Sequence, residues 1–350
     1  MTVVAAAKHG GAGFVTSAYH GGMELIDGHG RVATDLRVSL TDRCNLRCQY
    51  CMPAEGLDWL PTDETLSDDE LNRLIRIGVE MLGIRDVRFT GGEPLLRRSL
   101  PAIVAATKAL PSGPRTAMTS NGLGLKHTAR ALADAGLDRV NISLDTTDPA
   151  TFETITRRDR LRDVIDGLAA AHEAGLRPVK VNAVLLRGIN DLEAPDLLRW
   201  CIKHEYELRF IEQMPLDAQH GWNREAMVTA DETLALLGEH FALTPLDGRG
   251  SAPAEKFRVD DGPHTVGIIG SVTKPFCGDC NRVRLTADGQ IMNCLFAREE
   301  SDLRAAMRAG ASDVEIAERW VAAMTMKLPG HGIDDPTFLQ SDRPMSAIGG

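Results

Sequence analysis

Short apolar runs of strand length recur along the chain, and each is followed by a stretch whose apolar residues return every three to four positions. Strands are predicted at 36–40 (LRVSL), 86–90 (DVRFT), 116–120 (TAMTS), 139–144 (RVNISL), 179–186 (VKVNAVLL) and 208–214 (LRFIEQM). The stretches LNRLIRIGVEML, SLPAIVAATKAL, HTARALADAG, RDVIDGLAAAHEAG and DLLRWCIKH read as the intervening helices. Ser67 and Glu70 form a capping box ahead of the first, and Gly175 suits the C-cap of the fourth. Strands alternating with amphipathic helices build βα units on a parallel sheet. Six such units fit an α/β fold, a partial (β/α)6 TIM-like barrel; periodicity leaves an open doubly wound sheet as the alternative.

The pattern fades at TPLDGRGSAPAE (244–255), whose Gly and Pro content reads as a linker. Beyond it the chain predicts a hairpin and two helices, near 301–309 and 313–326, the later one opened by a capping box at Ser312 and Glu315. The organisation that follows is a flexible leader over 1–30, a barrel over 31–245, a C-terminal region over 246–340 and an irregular tail over 341–350. No internal repeat stands out.

Composition narrows the functional classes. The 350 residues suffice for one large domain, or a large one with a smaller companion. No apolar run approaches bilayer length and the N-terminus is too weak for a secretory signal, so a cytoplasmic protein is expected. A formal net charge of -10 argues against a nucleic-acid surface. It does not argue against an anionic small molecule, because local cationic clusters outweigh distant charge.

Of the seven cysteines, three stand at 44, 48 and 51, three at 277, 280 and 294, and Cys201 stands alone as a small hydrophobe on its helix. Each trio lacks an evident fourth ligand. Three thiolates leave one iron of a [4Fe-4S] cube open to an outside chelator. Zinc with a distant fourth ligand is the alternative for either trio.

The Cys44-x3-Cys48-x2-Cys51 motif after the first strand, with Gly91-Gly92-Glu93-Pro94 after the second, resembles the radical S-adenosylmethionine (SAM) superfamily. FCGDCNRVRLTADGQIMNCL (276–295) and the closing Gly349-Gly350 are similar to the GTP 3′,8-cyclase family within it, a resemblance covering the chain after residue 30. It implies a C-terminal α+β extension and two [4Fe-4S] clusters, one on Cys44, Cys48 and Cys51, the other on Cys277, Cys280 and Cys294. SAM would chelate the first cluster and meet Tyr50 through its backbone, Gly92, Ser143 and Met214. GTP would meet Arg37, Arg88, Thr119, Lys180 and Arg282-Val283-Arg284, with Arg282, Arg284, Gly349 and Gly350 completing the catalytic centre.

The implied reaction is that of a lyase of molybdenum-cofactor biosynthesis: hydrogen abstraction from ribose C3′, then attack on guanine C8. The implied partners are a low-potential electron donor and cyclic pyranopterin monophosphate synthase, which would take the product; no nucleic acid or membrane is involved, and a homodimer is compatible. Two rivals remain: a peptide-modifying radical enzyme with an auxiliary cluster, and a non-catalytic iron or zinc sensor.

Overall fold

The computed structural model describes residues 23–349. In chain order the barrel elements are β1 (Asp35–Ser39), α1 (Asp68–Leu82), β2 (Asp86–Thr90), α2 (Leu100–Lys108), β3 (Arg115–Ser120), α3 (Leu125–Asp134), β4 (Arg139–Ser143), α4 (Pro149–Thr156), α5 (Leu161–Glu173), β5 (Val179–Val184), α6 (Ala194–Lys203), β6 (Glu207–Ile211) and α7 (Ala230–Gly238). Then follow β7 (Leu243–Leu246), β8 (Glu255–Val259), β9 (Thr265–Ile269), β10 (Arg282–Leu285), β11 (Gln290–Met292), β12 (Ser301–Asp302), α8 (Leu303–Arg308), α9 (Asp313–Thr325) and α10 (Met345–Ile348). The capping boxes expected at Ser67 and Ser312 both form.

Strands β1 to β6 lie side by side in parallel, the six-unit core that periodicity predicts. The C-terminal region does not pack beside this core as a separate layer. It extends the same sheet at both edges, β10 pairing parallel with β1 and β9 parallel with β6. Hairpin partners β11–β12 and β8–β7 continue outward, giving the order β12-β11-β10-β1-β2-β3-β4-β5-β6-β9-β8-β7 among the described residues. The barrel therefore stays open, with β7 and β12 as its edges.

Three expectations need correction. The stretch taken as a linker carries strand β7 at 243–246, held antiparallel to β8. The leader was drawn to residue 30, yet Leu25 and Asp27 are buried and Ile26 bridges Val32; residues 1–22 lie outside the described residues. The tail is not irregular throughout, since Met345–Ile348 turn once as α10 with Ile348 buried.

Strands β1 to β6 and β10 each bury one face under the helices. Leu36, Val38, Val87, Phe89, Val140, Ile142, Leu208, Phe210, Val283 and Leu285 join one core with the helices' apolar stripes. Closed barrels of this class fill their lumen with branched apolar side chains. Here the lumen positions are polar: Asp35 and Arg37 on β1, Arg88 on β2, Asn141 on β4, Lys180 and Asn182 on β5, and Arg209 on β6 all border a central cavity. A lumen left unfilled and lined with charge is a place for ligands.

Candidate active site

Strand register sets the cavity wall. Arg37 stands beside Arg88 on β2 and beside Arg284 on β10, so three guanidinium-bearing residues adjoin across three strands. Thr119, Asn141 and Lys180 form a second run across β3, β4 and β5. The cavity measures about 600 Å³, within the ~300–1,000 Å³ typical of small-molecule sites.

Its electrostatics point to an anion. Burial above all, then Arg88 and Arg284, push Arg37 well below the usual arginine range. Burial and its arginine neighbours likewise bring Arg209 and Arg284 down to about 10. Arg37 Nε, Arg88 Nε and Arg209 Nε are buried without a hydrogen-bond partner, as are Asn141 Oδ1 and Asn182 Oδ1. Buried polar atoms are normally satisfied, and such a concentration around one cavity marks groups awaiting a ligand. Acidic residues offset only part of the charge: Arg88 stands 3.8 Å from Asp35, and Lys180 Nζ donates to Glu207 at 2.9 Å. Burial, opposed by Glu207, lowers Lys180 to about 8.

Cys44, Cys48 and Cys51 lie on the loop leaving the carboxyl end of β1. Burial raises all three thiols, Cys51 to about 12, and each is raised further by neighbouring negative groups, Cys48 by Asp145 and Cys44 by Glu93. The glycines of GGEP also have a packing role within the chain. A Cβ on Gly92 would overlap the carbonyls of Asp42 and Arg43, and one on Gly91 that of Thr41. Gly92 N donates to Thr41 O and Glu93 N to Arg43 O, both at 2.7 Å, so the motif clamps the cysteine loop to β2. Glu93 is wholly buried, accepts from Leu95 N, Ser120 Oγ and Asn121 N, and is raised by burial to about 7.

Tyr50, Ser143 and Met214 border the cavity, and the Tyr50 hydroxyl donates to Asp145 at 2.9 Å.

Cys277 and Cys280 precede β10, which runs parallel to β1, so they stand at the opposite end of the barrel from the first trio. Antiparallel β11 brings the chain back to the start of β10 and returns Cys294 to them. All three border the cavity with Arg282 and Arg284. Burial, then Cys294 and Cys280, raise Cys277. Burial works the same way on Cys280, yet Lys327 and Arg282 bring it below the ordinary thiol value.

Val283 faces the other way. On β10 it alternates with the two arginines and packs in the core, so its side chain takes no part in the cavity wall. At the tail, Arg284 Nη1 donates to Gly349 O and Ser39 Oγ to Ile348 O at 2.8 Å, bringing the chain end against β1, β2 and β10. A Cβ on Gly349, whose φ is +83°, would collide with Thr90 Oγ1 and Ser39 Oγ. Gly350 lies outside the described residues.

Arg209 escaped the sequence reading although a signal for it exists. The strands DLRVS, DVRFT and ELRFI share one pattern, acid-apolar-Arg-apolar, which sets Arg37, Arg88 and Arg209 at the same lumen position. That is a repeat on the scale of single strands, too short to stand out along the whole chain.

Among the described residues no three His, Cys, Asp or Glu side chains close around a single metal ion. A cube of four irons and four sulfides needs wider spacing than one ion, and two trios of partly buried thiols supply the soft donors it takes.

Comparison with known proteins identifies the family. Residues 38–201 match the family model of the radical SAM superfamily, and residues 206–333 that of Molybdenum Cofactor Synthesis C. The crystal structure of Streptococcus suis SuiB bound to S-adenosylmethionine superposes with a TM-score of 0.59 at 14% identity, over 87% of this chain and 68% of that one. At that identity it speaks for the fold alone. Fold and family model together define a radical SAM protein, a class that works with SAM and a [4Fe-4S] cluster. The chain is 64% identical to the GTP 3′,8-cyclase of Streptomyces coelicolor over 96% of its own length and 99% of the relative's. To that of Corynebacterium glutamicum it is 57% identical, over 94% and 90%. The chain belongs to the GTP 3′,8-cyclase family.

Proposed function

We propose that this protein converts GTP to (8S)-3′,8-cyclo-7,8-dihydroguanosine 5′-triphosphate, the first step of molybdenum-cofactor biosynthesis and a lyase-type radical reaction. The observation that carries the reading is the cationic, unsatisfied lumen, bordered by Cys277, Cys280 and Cys294 of the second trio and by Tyr50 from the loop of the first.

Cys44, Cys48 and Cys51 would hold a [4Fe-4S] cluster to which SAM binds, and that pair supplies the radical chemistry when bound. Tyr50, Ser143 and Met214 border the space SAM would fill, while Gly92 acts through the cysteine loop. Arg37, Arg88, Thr119 and Lys180 would seat GTP, the two arginines and the lysine meeting its triphosphate as forks and a point charge. Cys277, Cys280 and Cys294 would hold a second [4Fe-4S] cluster at the guanine end, with Arg282 and Arg284 beside it. The chain's own work is to orient two ligands along one channel and to exclude water between them. A low-potential donor would supply the electron, and cyclic pyranopterin monophosphate synthase would receive the product.

The test is to incubate anaerobically reconstituted protein with SAM, a strong reductant and each nucleoside triphosphate in turn. Formation of 5′-deoxyadenosine and a cyclised product with GTP is the expected result. Turnover on a peptide, or on no nucleotide, sinks the reading.

A further inference from the structure

Lys327 follows the end of α9 and is only 4% exposed. Its ammonium donates to Arg282 O at 2.9 Å and reaches Cys280 O and Cys280 Sγ, each at 3.4 Å. Among the described residues no carboxylate forms an ion pair with it. A buried ammonium without a counter-anion is strongly unfavourable. The anionic partner within reach is the Cys280 sulfur. Lys327 does not border the cavity, so it touches neither ligand space nor the lumen arginines' open faces.

The surrounding backbone holds this contact in place. Arg31 Nη1 donates to Cys277 O at 2.6 Å and to Pro329 O at 2.9 Å, while its Nη2 donates to Leu328 O at 2.6 Å. Arg31 is itself fixed by Asp27 at 2.6 Å. One arginine thus ties the cysteine loop to the segment directly after Lys327. Asn293, next to Cys294, donates to Ala323 O at 2.8 Å and adds a tie from α9.

We propose that Lys327 is a positioning residue for the second cluster: the resident counter-cation of Cys280, which orients its sulfur and raises the reduction potential of the cluster it ligates. The inference rests on the reading that Cys277, Cys280 and Cys294 hold a [4Fe-4S] cluster. Hydrogen bonds and positive charge at a ligating sulfur stabilise the more negative, reduced state of a cluster. Lys327→Met keeps much of the side chain's length and removes the charge; Lys327→Arg keeps the charge.

The experiment uses full-length protein carrying Cys44, Cys48 and Cys51→Ala, so that only the second trio can bind a cluster. Iron and sulfide per chain, their loss to a chelator, and the midpoint of an EPR-monitored redox titration are measured with Lys, Met and Arg at 327. Circular dichroism checks that each protein is folded. In Lys327→Met the midpoint should move to lower potential and iron should leave several-fold faster, with Lys327→Arg restoring both. A folded Met variant without iron supports the proposal if the Arg variant regains it. Unchanged midpoint and iron loss in the Met variant overturn the proposal, as does failure of both variants to bind iron. Absence of iron and sulfide from the parent protein overturns the second-cluster reading itself, and this proposal with it.

Discussion

At the carboxyl end of the strands, Cys48 feels Asp145 and Cys44 feels Glu93; at the amino end, Cys280 has Lys327 and Arg282 beside it. Both loops carry three partly buried cysteines, and the channel is bordered by all three of the second loop and by Tyr50 of the first. The surroundings differ in sign, and so do the two ligands of the proposed reaction. SAM carries a sulfonium cation, which suits an end furnished with carboxyl groups. GTP carries a triphosphate, which suits the arginine-lined lumen between the ends. On the proposed reading, the barrel would sort its two ligands by charge before any hydrogen bond is counted.

Removing each trio in turn breaks the comparison most sharply. Alanine at Cys44, Cys48 or Cys51 should abolish 5′-deoxyadenosine formation, measured by chromatography under anaerobic reduction; cleavage persisting in the triple variant excludes that loop as the SAM site. Alanine at Cys277, Cys280 and Cys294 should halve the cluster iron and end cyclisation while some unproductive SAM cleavage continues. If zinc replaces iron and sulfide at that trio, the two ends are not a matched pair.

Next in size is the tail. Gly349→Leu forces a side chain onto Ser39 and Thr90. Coupled turnover should drop about a hundredfold at equal iron content, as expected of a small misplacement at a reacting centre. Wild-type turnover would show that the chain end is dispensable.

A smaller effect separates the lumen cations. Arg37→Ala should weaken GTP about tenfold or more, the cost of about 1.5–3 kcal/mol for a charge-assisted contact, while leaving SAM affinity unchanged. Lys180→Ala should cost less, because Lys180 already spends a hydrogen bond on Glu207 whereas Arg37 Nε has none. Calorimetric titration of both variants decides the order; equal or reversed losses would mean that Glu207 releases Lys180 on binding. Smallest for function is Val283→Ala, which should lower stability by about 2 kcal/mol and leave GTP titration unchanged. A weakened titration would return Val283 to the site.

Much of this was legible along the chain. Periodicity marked the six core strands to within a few residues, and Ser67 and Ser312 announced their helices because capping is local. Cysteine spacing and the GGEP motif were legible for the same reason. What escaped depends on distance. That β9 and β10 join opposite edges of the core sheet follows from pairings far apart in sequence, which no local pattern encodes. Lys327 stands 45 residues from the Arg282 carbonyl it binds, and nothing in its neighbourhood distinguishes it from a surface lysine. Val283 was grouped with its flanking arginines because a motif names positions, while strand alternation assigns faces. The Thr229–Glu232 capping box of α7 was local and readable, and went unread.

The pairing of β1 with β10 also sets a schedule for making the protein. Thr34 and Asn281, side by side at the foot of these strands, are 247 residues apart. At roughly 5–20 residues per second, a ribosome takes roughly 12–50 s to deliver the second after the first. Throughout that interval one edge of the nascent sheet has no neighbour and can pair with a foreign strand. Closure by β10 ends the exposure, and the final turn before Gly349 then settles on Ser39 at the tip of the strand made first. A prematurely released chain would keep six good strands, an open flank and no finished active site.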